Sequence, residues 1–216
     1  MLRKLISRLA FLALVITLGV ASASANTVTL ASVGTATDAG QTNAMGATMA
    51  IAPDPLWAGP MAGSSWVSYT TSTPMYGSNF VVVPNGTVVN FADTFMLNGT
   101  PMGGTLSIMA DDTTTVWLNG NMLVNDASTS NNTYATCSDF AIGCLPGTTL
   151  TINLPANMLV DGQNTLDFGV MQVAGWSYGL DYVGSVNVAP TPEPSSLLFF
   201  ASGAFGLAGL LRKKLS

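Results

Sequence analysis

Histidine is absent from this 216-residue sequence, and basic residues are missing from all of it except the two ends. Its six Lys and Arg are Arg3, Lys4, Arg8, Arg212, Lys213 and Lys214, so Asn26 to Ala189 carries no cation while holding ten aspartates. Affinity for nucleic acid rests on Lys and Arg displacing counterions from phosphates, and this charge balance excludes it. Without His or Lys there is no Ser-His-Asp or Cys-His arrangement and no Schiff-base amine. Zinc loses its imidazole ligands, and two cysteines alone fall short of the usual four positions. Carboxylates are what remain, and they suit either glycoside hydrolysis or calcium. Asp111 and Asp112 are adjacent, so on an extended strand they would point to opposite faces rather than flank a bond. They read better as an Asx-type turn. No EF-hand spacing occurs, though Asp38, Asp111, Asp112 and Asp181 sit near expected turns. The expectation is a non-enzymatic protein with no catalytic residue and no cofactor, for which a structural calcium ion is the one metal its donors would suit.

Helical periodicity is the second absence. Short β-branched and aromatic runs recur instead, separated by Gly, Asn, Asp and Pro, which reads as all-β. Strands are expected over 27–33, 64–70, 79–83, 87–97, 104–110, 114–124, 148–154, 164–173 and 178–188. Val89 and Phe91, and the run Leu166-Asp167-Phe168-Gly169-Val170, alternate with period two, as in a sheet with one face buried. Asn119-Gly120 between two apolar runs predicts a type I′ hairpin, with Asn85-Gly86, Asn98-Gly99 and Asp161-Gly162 as further turns. This number of strands suits a single antiparallel β-sandwich or jelly roll. Residues 34–63 and 125–147 read as long loops. The second holds Cys137 and Cys144, expected to form a disulfide in an exported protein, pinning a loop with little core of its own.

The ends are a different matter. Arg3, Lys4 and Arg8, the twelve-residue apolar run Leu9–Val20 and the small residues Ala23-Ser24-Ala25 have the zones of a secretory signal peptide over 1–25. The implied partners are the Sec translocon and signal peptidase. At the other end, Ser195 to Leu211 is seventeen uncharged residues, about 25 Å as a helix and just long enough to span a bilayer. Arg212, Lys213 and Lys214 follow it and would stay on the cytoplasmic side. Pro192-Glu193-Pro194, then that helix, then the basic cluster resembles the PEP-CTERM sorting signal of Gram-negative bacteria, over 190–216. The resemblance implies recognition of Pro192, Glu193 and Pro194 by exosortase, a membrane-embedded cysteine protease. It also implies membrane retention by helix 195–211 and orientation by Arg212, Lys213 and Lys214. The chain would be an inner-membrane-anchored intermediate first, and cell-surface or extracellular-matrix material afterwards.

The domain between, 26–189, carries a second resemblance, clearest over 64–188. Asp111-Asp112, Leu118-Asn119-Gly120, Gly162-Gln163-Asn164-Thr165-Leu166 and Gly179-Leu180 are similar to the scaffold positions of galactose-binding-domain-like jelly rolls. That likeness concerns fold, and function must come from a site. Sugars would be held on exposed aromatics. Trp57, Tyr76, Tyr134, Trp176 and Tyr178 lie in or beside expected loops, whereas Trp66 and Trp117 lie within strands and are expected in the core. Trp176 and Tyr178 would share a face if extended. Two functions are therefore expected: a biofilm- or exopolysaccharide-associated matrix protein sorted by exosortase, or a surface carbohydrate-binding module with Trp176, Tyr178, Trp57 and Tyr76 as its contacts.

Overall fold

The structure is a computed structural model that describes residues 25–33, 41–43, 46–69, 81–125, 142–173, 175–189 and 202–203. Asn26–Ala189 forms one compact unit, and Met1–Ala25 with Pro190–Ser216 forms a second. Of the second unit only Ala25, Ser202 and Gly203 are described, the last two helical. The sorting residues Pro192, Glu193, Pro194, Arg212, Lys213 and Lys214 and nearly all of the expected signal peptide and anchor helix lie outside the described residues. Among those described, no helix is long and apolar enough to cross a membrane.

The first unit is an antiparallel β-sandwich of two six-stranded sheets. One sheet runs β10 (Leu150–Leu154), β7 (Thr100–Asp111), β12 (Gly179–Ala189), β5 (Val67–Ser68) and β4 (Met49–Ala50), with β1 (Asn26–Ala31) also on β12. The other runs β3 (Gly46–Ala47), β2 (Gln41–Asn43), β6 (Val88–Leu97), β11 (Gly162–Met171), β8 (Thr113–Leu118) and β9 (Asn121–Asn125). From β6 to β7 to β8, and from β10 to β11 to β12, the chain crosses between sheets at each step, which is jelly-roll connectivity.

Period-two patterning sets which side of each strand is buried. Val89, Phe91, Phe95 and Leu97 of β6 point inward, as do Leu166, Phe168 and Val170 of β11 and Val116 and Leu118 of β8. They meet Leu106, Ile108 and Ala110 of β7 and Leu180, Tyr182, Val186 and Val188 of β12. Phe168 stacks on Tyr182 across the sandwich, with ring centroids 4.6 Å apart. The Tyr182 hydroxyl donates to buried Asp93 at 2.9 Å.

Turn chemistry fixes the register. Asn119 and Gly120 have φ of 51° and 77°, as a type I′ turn requires, and they join β8 to β9. The Asn119 amide also reaches β11: Nδ2 donates to Asn164 Oδ1 and to the Met158 carbonyl, each at 2.8 Å, and Oδ1 accepts from the Thr165 N–H at 2.9 Å. Asn164 is fully buried and closes the knot on Val160, accepting from its N–H and donating to its carbonyl. The Leu-Asn-Gly and Gly-x-Asn-x-Leu stretches noted in the sequence are thus one interlocked joint.

Four expectations change. Of the run 64–70, the described residues 64–69 form only the short strand β5. Of the run 79–83, the described residues 81–83 contribute a single bridge, Val82 to Ser177. Residues 34–63 are no bare loop, since β2, β3 and β4 add to sheet edges through backbone pairing that a Gly/Ala/Thr composition does not announce. Trp117 is not in the core: Val116 and Leu118 take the two inward positions beside it, so its indole lies on the outer face, half-buried.

Candidate functional site

Polar side chains concentrate where three segments meet: Ile51–Trp66, the β7–β8 corner at Asp111-Asp112, and the 172–178 connection. The first segment has almost no secondary structure and is held by side chains. Asp54 accepts from the Leu56 N–H at 2.9 Å and from the Ser177 hydroxyl. Trp57 Nε1 donates to Asp111 Oδ2 at 2.7 Å while its ring packs on Trp66, centroids 4.3 Å apart. Asp181, fully buried, accepts from the Met61 N–H at 2.8 Å and from the Ser32 hydroxyl at 3.0 Å. The Cys144 carbonyl accepts from Ala58 N–H at 2.8 Å. Ile142 and Cys144 are themselves core residues, so the end of 125–147 is anchored in the sandwich, contrary to the expectation of a loop without core. Cys137 lies outside the described residues, and with it the expected disulfide.

Asp111 and Asp112 do not point to opposite faces. β7 ends at Asp111 and β8 begins at Thr113 in the other sheet, so the pair occupies a corner where strand alternation stops. Their side chains hydrogen-bond to each other. Burial pushes the Asp111 carboxyl well above the usual range, and the charges of Asp112 and Asp54 push it further, against the Trp57 hydrogen bond. Burial raises Asp112 to about 6, opposed by hydrogen bonds from Asp111 and the Val173 N–H, the latter at 2.6 Å. Burial also raises Asp181, against its donors at Ser64, Met61 and Ser32. With no cation in the domain, burial and mutual repulsion raise both carboxyls, and the pair is relieved by a proton held between them.

Such a pair is too close to flank a glycosidic bond, which needs carboxyls about 5 Å or more apart. Among the described residues no three acids are placed to hold a metal ion. The calcium candidates separate: Asp111 and Asp112 bind each other, Asp181 fastens Ser32 and Met61, and Asp38 is outside the described residues. Asp54, Asp111 and Asp181 act as fasteners for Ile51–Trp66, and Asp112 holds the Val173 N–H.

Among the described residues, the expected sugar contacts do not converge on one face either. Tyr178 is fully buried, and its hydroxyl accepts from the Val89 N–H at 3.0 Å and donates to the Val170 carbonyl at 2.6 Å. It bridges cross-strand partners of β6 and β11 and offers no face to a ligand. Trp57 is half-buried and committed to Asp111 and Trp66. Trp176 is half-exposed, its carbonyl accepting from Val83 N–H at 3.0 Å. Tyr76 and Tyr134 lie outside the described residues. Trp66 is buried as expected. The residue overlooked is Trp117, and parity held the signal: Thr113, Thr115, Trp117 and Asn119 share the register opposite Val116 and Leu118.

What the fold defines is an antiparallel β-sandwich whose buried acids fasten its own loops. Residues 190–213 match the PEP-CTERM protein-sorting motif. The chain is therefore an exported protein that exosortase processes. No curated protein matches it in sequence. Among solved structures, a family 35 carbohydrate-binding module from Clostridium thermocellum is 16% identical at a TM-score of 0.36, aligned over 73% of this chain and 97% of that one. A family 35 module from Paenibacillus barcinonensis is 14% identical at 0.35, over 72% and 95%. A β-porphyranase of glycoside hydrolase family 86 from Bacteroides plebeius is 17% identical at 0.28, over 51% and 20%. Likenesses this distant carry no ligand across.

Proposed function

We propose that this protein is a non-enzymatic component of the extracellular matrix or cell surface, delivered by a cleaved signal peptide through Sec and released by exosortase. The observation that carries the reading is the PEP-CTERM motif at 190–213. A folded domain whose corner acids Asp54, Asp111, Asp112 and Asp181 are occupied with one another and with its own loops agrees with a role as material rather than catalyst. A bridge between Cys137 and Cys144 belongs to the same reading. The test is Glu193→Ala in the native host, followed by fractionation. The full-length variant should accumulate in the inner membrane and be depleted from the surface and matrix. Release indistinguishable from wild type would contradict sorting through this motif. A second reading, glycan contact at the cell surface, is favoured by the half-exposed Trp117 on the outer face of the β6–β11–β8 sheet.

A further inference from the structure

That outer face has a shape that its sequence did not announce. Trp117 is paired with Asp167 across β8 and β11, and Gly169 lies two residues further along β11. A Cβ built on Gly169 would lie 3.1 Å from Trp117 Cζ3, 3.2 Å from Cη2 and 3.2 Å from Asn90 Oδ1. The indole therefore lies down across the bare glycine, with the Asn90 amide meeting it from β6. Any side chain at 169 would prop it up. The exposed Asn90 side chain makes no hydrogen bond, and neither does that of half-buried Asp167. Met122, opposite Trp117 on β9, is 53% exposed and extends the apolar strip. A half-exposed aromatic face bordered by an uncommitted amide and an uncommitted carboxylate thus spans three strands, about 10 Å.

We infer that Trp117, Gly169, Asn90 and Asp167 form a binding platform for an uncharged polysaccharide, one pyranose ring stacking its C–H face on the indole while its hydroxyls bond to Asn90 and Asp167. The inference rests on the glycan-contact reading above and names its site. Charge decides the ligand class. No cation exists anywhere in 26–189 to meet a uronate, sulfate or phosphate, and Asp167 would repel one. Uncommitted polar groups would remain unsatisfied beneath an apolar protein partner, whereas sugar hydroxyls both donate and accept.

The experiment is affinity electrophoresis of the protein recovered from its host through gels containing hydroxyethylcellulose or galactomannan, with alginate as the anionic comparator. Wild type should be retarded by a neutral polysaccharide and not by alginate. Trp117→Ala and Gly169→Val should each weaken retardation about tenfold, a loss near 1.4 kcal/mol. Trp117→Phe should recover part of it, and Trp176→Ala should bind as wild type. Thermal unfolding of each variant separates lost binding from lost fold. Unchanged binding in both Trp117→Ala and Gly169→Val would overturn this site while leaving glycan contact intact. No retardation of wild type by either neutral polysaccharide would overturn both. Preference for alginate would overturn the ligand class. Self-association abolished by Trp117→Ala, with glycan binding unmoved, would assign the face to a second copy of the chain and overturn the platform.

Discussion

At the scale of single residues, the acids of the β7–β8 corner make stability depend on pH in an unusual direction. The Asp112 carboxyl lies at about 6 in the folded protein, against about 4 for an unfolded aspartate. Between those values the folded chain holds the extra proton, so stability falls as pH rises through about 4 to 6 and stays lower above. Asp111, raised further, extends the fall upward, and Asp181 adds to it with the same sign. The domain should therefore melt at a higher temperature near pH 5 than near pH 8. Asp112→Asn keeps an acceptor for Asp111 and the Val173 N–H without the buried charge. It should stabilise the protein at about pH 8 by on the order of 1–2 kcal/mol and flatten the pH profile. A melting temperature that rises steadily with pH in both proteins would refute this account of the corner.

Among the elements, legibility in the sequence follows the physics that specifies each one. The strands β1, β6 to β12 and the Asn119-Gly120 hairpin were readable because alternating burial and positive-φ turns leave local marks. β2, β3 and β4 were not, because edge pairing uses backbone groups that every residue carries. The site was less legible than the fold. Tyr178 and Trp57 look like loop aromatics in sequence, but long-range partners at Val89, Val170, Asp111 and Trp66 take them inward. Trp117 looks like core because Val116 and Leu118 flank it, although parity alone places it outside. The Asn119–Asn164 joint offers a test at this scale. Asn164→Ala removes the buried amide that ties Asn119 to the Val160 backbone and should cost about 2–3 kcal/mol by urea denaturation. Asn121→Ala, at an exposed position of the neighbouring strand, should cost under about 0.5 kcal/mol. Equal effects would show that the joint contributes nothing beyond the turn.

For the whole molecule, charge is partitioned by destination. Every basic side chain lies in a terminal segment, and the sandwich between carries, of charged residues, only aspartates. With both ends removed, as proposed above, the product would be an anionic domain with no means of holding nucleic acid or acidic polymers, suited to an environment of neutral polymers. The central claim is that this domain is delivered outside the cell and freed from its tail, and the intact mass of the protein recovered from its native host tests it most directly. The account predicts a species beginning at Asn26 and ending near Pro194, heavier by two hydrogens after reduction of the Cys137–Cys144 bridge. A chain still ending at Ser216 would contradict it and leave a membrane-tethered domain in its place.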